Sequence, residues 1–100
     1  MTPSLDISIC VPTYNEAQSL EDLCFAIQKV FQQTSMTYEI VIVDDNSPDG
    51  TADRARALSK DFPIQVLQRP GKLGLSSAVL DGWKIAKGEV LAVTDADLSH

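Results

Sequence analysis

The sequence has no apolar run near the roughly 20 residues that a membrane-spanning helix needs, so it carries no transmembrane helix. Its first residues, Met1-Thr-Pro-Ser-Leu-Asp6, lack a basic region followed by an apolar block and do not read as a secretory signal. Positive charge is scarce: 8 Lys and Arg stand against 14 Asp and Glu, a net charge of −6. That balance argues against a general nucleic-acid binder, whose affinity rests on cations meeting phosphates. Cysteine is limited to Cys10 and Cys24, and histidine to His100, with none of the spacings that mark a zinc site. Both cysteines fall in apolar surroundings and are expected as buried free thiols, in keeping with a reducing cytosol. Three further motifs are missing: the GxGxxG dinucleotide fingerprint, the GxxxxGK[ST] phosphate loop and the GxSxG nucleophile elbow. Dinucleotide-dependent, P-loop and serine-hydrolase readings lose their main support.

What is present is a regular alternation. Ile7 to Val11 reads as a strand stopped by Pro12, and Glu39 to Val43 is a strand with four consecutive β-branched residues. Ile64 to Leu67 and Val90 to Val93 are two more, the last a short all-apolar run that suits a buried strand of a parallel sheet. Between them lie three helical stripes. The first carries Leu20, Leu23, Cys24, Ile27, Val30 and Phe31, with Asn15 and Gln18 expected as a capping box. The second carries Ala52, Ala55 and Leu58 behind a cap from Asp49 or Thr51. The third carries Leu75, Ala78, Val79, Gly82, Trp83 and Ala86, with Trp83 expected in the core and Gly88 as the C-terminal stop. The order β-α-β-α-β-α-β predicts an α/β fold, a mostly parallel sheet with helices on both faces.

In such a sheet, ligands collect beyond the carboxyl ends of the strands. Three of the four strand ends here are followed by acids: Glu16; Asp44 and Asp45; and Asp95 and Asp97. Carboxylates sharing one rim repel unless a cation or hydrogen-bond donors sit among them. Asp95 and Asp97 are one residue apart after an apolar strand and can face one Mg2+ or Mn2+ ion, with Ser99 continuing the row. Asp49, and to a lesser degree Asp44, read instead as residues that hold turns. Two readings of Arg69 and Lys72 stay open, as phosphate contacts or as solvated loop charges.

Four segments then carry a resemblance: Pro12-Thr-Tyr-Asn-Glu16; Val43-Asp-Asp-Asn-Ser-Pro-Asp-Gly-Thr51; Arg69 with Lys72-Leu-Gly-Leu75, Ala78 and Gly82; and Asp95-Ala-Asp-Leu-Ser-His100. In this order they resemble the N-terminal half of an inverting family 2 glycosyltransferase of the Rossmann-like GT-A fold. They are most similar to the branch that mannosylates dolichyl or polyprenyl phosphate. The resemblance implies that residues 1–100 form the nucleotide-sugar and metal-binding part of a GT-A domain truncated at its C-terminal side, and that the chain alone is inactive in transfer. It implies a GDP-mannose donor, a dolichyl or polyprenyl phosphate acceptor, a Mg2+ or Mn2+ cofactor, and a cytoplasmic protein peripheral to or anchored in a membrane. It also implies nucleotide contacts from Pro12, Tyr14, Glu16, Val43, Asp45, Asp95, Ala96 and Asp97. Metal ligation would fall to Asp95, Asp97 and Ser99, with Asp97 as the catalytic residue. A related transferase using a UDP-sugar, and an inactive nucleotide- or metal-binding fragment, are the competing readings.

Overall fold

The computed structural model describes residues 5–70 and 75–94. Four parallel strands, β1 (Leu5–Thr13), β2 (Tyr38–Asp44), β3 (Ile64–Gln68) and β4 (Gly88–Val93), lie in the order β3-β2-β1-β4. They alternate with three helices, α1 (Leu20–Phe31), α2 (Thr51–Leu58) and α3 (Leu75–Ile85). The expected α/β architecture is therefore present, with all strands parallel.

The chain steps outward from β1 to β2 to β3, then crosses back to place β4 on the other side of β1. Crossovers of one hand put the helices of opposite travel on opposite faces of the sheet. On one face Ile9, Val11, Ile40 and Ile42 meet Leu20, Leu23, Cys24 and Ile27 of α1 and Ala55 and Leu58 of α2. On the other, Cys10, Val41 and Val43 meet Ala78 of α3. Helices thus cover both faces because β1 and β2 are apolar at odd and even positions alike. Two ring pairs close the first layer: Phe31 stacks on Tyr38 at 4.5 Å, and Phe25 meets Phe62 edge-on at 5.2 Å.

Several local expectations are corrected. Asn15 does not cap α1: it adopts a left-handed φ of 56°, its amide donates to the Ser47 hydroxyl at 2.9 Å, and the helix starts after Ser19. A cross-loop bond wins over the local capping box. Val30 is 60% exposed and Trp83 37% exposed, so both leave the stripes that periodicity assigned them. Gly88 does not end α3, which stops at Ile85; it opens β4 against β1. β4 itself is a sheet edge with Val90, Leu91 and Val93 substantially exposed, not a buried strand.

Candidate functional site

All four strands end on one rim, at Thr13, Asp44, Gln68 and Val93, and the switch in strand order falls between β1 and β4. That is where open parallel sheets bind ligands. The loops on this rim are built from backbone amides captured by side chains. Asp44 is fully buried: one carboxylate oxygen accepts from the Thr13 hydroxyl at 2.8 Å and the Ser47 hydroxyl at 2.6 Å, and the other accepts from the Ser47 amide at 2.9 Å. Asp49 accepts from the Thr51 amide at 3.1 Å, from the Thr51 hydroxyl, and from the Ala17 amide at 3.2 Å. These bonds, the Thr51 hydroxyl foremost, hold the Asp49 carboxyl below its ordinary range. The Thr51 hydroxyl in turn accepts from the Glu16 amide at 3.0 Å. Asp44 and Asp49 are therefore turn-holding acids that stitch the β1–α1 loop to the β2–α2 loop. Gly50, at φ 83°, supplies the left-handed turn into α2.

Asp45 stands one residue beyond β2, 8% exposed, its amide donating to the Thr13 carbonyl at 3.2 Å. Its carboxylate is gripped by Arg69: Nε meets Oδ1 at 2.6 Å and Nη2 meets Oδ2 at 2.9 Å. The third guanidinium nitrogen, Nη1, reaches α3, donating to the Ser77 hydroxyl at 2.8 Å and to Asp81 at 3.1 Å. The Arg69 amide also donates to the Asp44 carbonyl at 2.7 Å. Arg69 is thus buried, not a solvated loop charge, and the Asp45 carboxylate beside it raises its already high pKa. The ion pair with Arg69 likewise lowers that of Asp81.

Of the other residues singled out from sequence, Tyr14 is 40% exposed at the loop crest, while Pro12 and Glu16 are half-buried beside it. Val43 is fully buried among Cys10 and Val41, so only its backbone can meet a ligand. Its carbonyl accepts from the Thr13 hydroxyl at 3.4 Å. Lys72, Asp95, Ala96, Asp97 and Ser99 lie outside the described residues. Thr94, directly before Asp95, donates its amide to the Cys10 carbonyl at 3.1 Å, on the same rim. Sequence reasoning missed Ser77 and Asp81 as partners of Arg69. Nothing local marks them, because the contact spans 8 and 12 residues and joins a loop to a helix. Among the described residues there is no cluster of three metal-ligating side chains, and no helix is long and apolar enough to cross a membrane.

The sequence matches the pattern of Glycosyl transferase family 2 over residues 8–100. It is 47% identical over 96 residues to a dolichol-phosphate mannosyltransferase of Pyrococcus furiosus, covering 96% of this chain and 27% of that protein. The fold superposes with a TM-score of 0.76 on a mannosyltransferase from Pyrobaculum calidifontis solved with GDP-Man and Mn2+, at 27% identity, over 96% of this chain and 28% of that one. It also superposes, with a TM-score of 0.79 and 26% identity, on S. aureus TarS solved with UDP, over 93% of this chain and 28% of that one. The chain spans between 27% and 37% of the length of the curated relatives it matches.

Proposed function

Because the chain belongs to glycosyl transferase family 2, we propose that it forms the nucleotide-sugar and metal-binding part of an inverting mannosyltransferase. The donor in this reading is GDP-mannose and the acceptor a dolichyl or polyprenyl phosphate. The observation that carries it is the 47% identity to a dolichol-phosphate mannosyltransferase across 96% of this chain. The likeness to a mannosyltransferase holding GDP-Man and Mn2+ supports the donor and the metal.

Pro12, Tyr14, Glu16, the Val43 backbone and Asp45 line one part of the rim and face the nucleotide in this reading. Asp95, Ala96 and Asp97 follow β4 in sequence and take the ribose and diphosphate. Asp95, Asp97 and Ser99 form an all-oxygen donor set, the chemistry that Mg2+ and Mn2+ prefer, so the residues present fit such an ion. When bound, a divalent ion stabilises the negative charge that gathers on the leaving diphosphate. Asp97 is the catalytic residue in the sense of holding that group in place. A phosphate acceptor is already ionised near neutral pH, so no carboxylate is needed to deprotonate it, unlike a sugar hydroxyl. Arg69, locked to Asp45, supports the donor pocket, and Lys72 is assigned to phosphate. In this reading the protein is cytoplasmic, peripheral to or anchored in a membrane.

Calorimetric titration with GDP and UDP, each with and without Mn2+, tests this. Metal-dependent binding that favours GDP and disappears in Asp97→Ala is expected. A preference for UDP points to the UDP-sugar reading, which the likeness to TarS with bound UDP favours. No binding by the folded chain defeats the assignment of a donor site to these residues. In a transfer assay the 100-residue chain alone is expected to be inactive.

A further inference from the structure

We infer that Ser47, Asp49 and Thr51 are positioning residues that set the course of the β1–α1 loop for nucleotide binding; this rests on the donor-site reading above, in which that loop brings Tyr14 and Glu16 to the nucleotide. Three successive amides of the loop point at the β2–α2 loop, and each meets a different side chain. Asn15 donates to the Ser47 hydroxyl at 2.9 Å, Glu16 to the Thr51 hydroxyl at 3.0 Å and Ala17 to the Asp49 carboxylate at 3.2 Å. Both hydroxyls pass the bond on to an acid: Ser47 donates to Asp44 at 2.6 Å, and Thr51 to Asp49. A hydroxyl that donates to a carboxylate is the better acceptor for an amide behind it, so each relay is stronger than its links taken singly. The far end of the loop is closed by Ser19, whose amide and hydroxyl donate to the Glu16 carbonyl at 3.1 and 3.2 Å.

These bonds decide what the loop can offer a ligand. Successive amides in an irregular segment form a cradle for an anion when nothing else takes them. Here side-chain oxygens take all three, so the loop is built to carry its side chains to the rim and not to wrap a phosphate. Asn15 sits at a left-handed φ of 56°, a conformation that costs a non-glycine residue energy and that the bond to Ser47 helps to hold. A loop fixed before the ligand arrives spares the ordering cost of binding. Asp49 lies at an exposed position, and its charge is unfavourable for an anionic ligand on the same rim. Its charge and its hold on the loop therefore act on nucleotide binding with opposite signs.

The test is calorimetric titration of GDP and UDP, with Mn2+ present, into the wild-type chain, Asp49→Asn, Thr51→Val and Thr51→Ser, each checked by urea unfolding. Asp49→Asn keeps the shape but not the charge, and is expected to weaken whichever nucleotide the wild type binds by about fivefold or more. Thr51→Val, which removes the hydroxyl at nearly constant shape, is expected to do the same. Thr51→Ser keeps the hydroxyl and is expected to bind within about twofold of wild type. If Asp49 acted through its charge alone, Asp49→Asn would tighten binding. If the three residues only stabilised the fold, the variants would unfold at lower urea and the folded chain would bind as the wild type does. Either result overturns the inference and leaves the donor site standing, as does Thr51→Ser binding as weakly as Thr51→Val. Thr51 is fully buried, so where Thr51→Val does not fold, Asp49→Asn at its exposed position decides by itself. Amide hydrogen exchange on the same chains locates the effect: faster exchange at Ala17 in Asp49→Asn is expected, and unchanged exchange there overturns the inference. A wild-type chain that binds neither nucleotide overturns this inference and the donor-site reading together.

Discussion

The Glu39 carboxylate accepts the Ser8 hydroxyl at 2.5 Å, at the end of the sheet opposite the rim that carries the candidate site. It also accepts the Lys87 amide at 2.6 Å and the Gln65 side-chain amide at 2.7 Å, and the Ser8 hydroxyl takes the Gly88 amide at 2.7 Å. One buried acid thereby ties β1, β2 and β3 to the turn between α3 and β4. This fixes where β4 starts, and so where its far end delivers Thr94.

That network makes stability depend on pH. Burial alone would raise the Glu39 pKa, but the bonds from Ser8, Lys87 and Gln65, with the Lys87 charge, outweigh it and lower the pKa below its ordinary 4.5. A carboxyl whose folded pKa is depressed stabilises the fold above its unfolded pKa, and that contribution fades as pH falls through the folded value. Glu39→Gln is expected to cost about 1–3 kcal/mol at pH 7 and to flatten the loss of stability below pH about 4.5. Urea unfolding across pH 2.5–7 measures both; a variant with the wild-type acid slope would exclude Glu39 as its source.

Two glycines should respond to alanine for different reasons. A Cβ at Gly88 would lie 2.5 Å from the Ser8 amide nitrogen and 2.6 Å from the Ile7 carbonyl carbon, backbone atoms that cannot swing aside. Gly88→Ala is expected to cost about 2–3 kcal/mol and to weaken the β1–β4 pairing. At Gly50 nothing lies within 4 Å of the added carbon, and only the left-handed φ of 83° penalises it. Gly50→Ala is expected to cost about 1 kcal/mol, and Gly50→Asn less. Urea midpoints of the three variants decide the order, and equal losses would contradict it.

Much of this was legible in the sequence, and the failures share one cause. Periodicity finds elements from their own residues, so the seven elements and the burial of Leu20, Leu23, Ile40 and Ile42 follow from pattern alone. It does not report which strand sits at an edge, and β4, apolar at successive positions, was expected inside the sheet. Nor does it weigh a cross-chain bond against a local one. Asn15 precedes a helix and looks like a cap, yet Ser47, 32 residues away, takes its amide. The turn-forming acids Asp44 and Asp49 were recognisable from their Asn-Ser-Pro-Asp-Gly context. The Asp45–Arg69 pair was not, because 24 residues separate two charges that each look like ordinary loop residues.

The cysteines should be inert in the folded chain. Burial, opposed weakly by the Arg69 charge, pushes the Cys10 thiol up to about 11. Burial, aided by Glu21 and opposed by Arg54, does the same for Cys24, to about 11. The nucleophile is the thiolate, so at pH 8 only roughly a thousandth of each thiol is in reactive form. Both sulfurs are also shielded, Cys10 by α3 and Cys24 within the α1 layer. Aromatic disulfide reagent at pH 8 is expected to label neither within minutes, and both within the mixing time once urea unfolds the chain. Rapid labelling of native protein would show that one of these layers opens readily.

The exposed edge of β4 makes the last prediction. Val90 is 55% exposed, Leu91 40% and Val93 46%, while β3, the other edge, carries Gln65 and Gln68 among its apolar residues. An apolar edge strand with no charge along its centre is a template for pairing with another chain. Beside it, Ile7, Ala26, Ile27, Val30, Phe31 and Ala92 line an apolar groove of about 330 Å³ on the α1 face. The isolated chain is expected to self-associate as its concentration rises, and Leu91→Lys to suppress this, since a charge on an edge blocks strand addition. The side chain at Leu91 is part-exposed, so the substitution should shift stability by no more than about 1 kcal/mol. Sedimentation velocity over a concentration series, with urea unfolding as the control, separates the two effects. A wild-type chain that stays monomeric at high concentration would show that this edge is silent despite its composition.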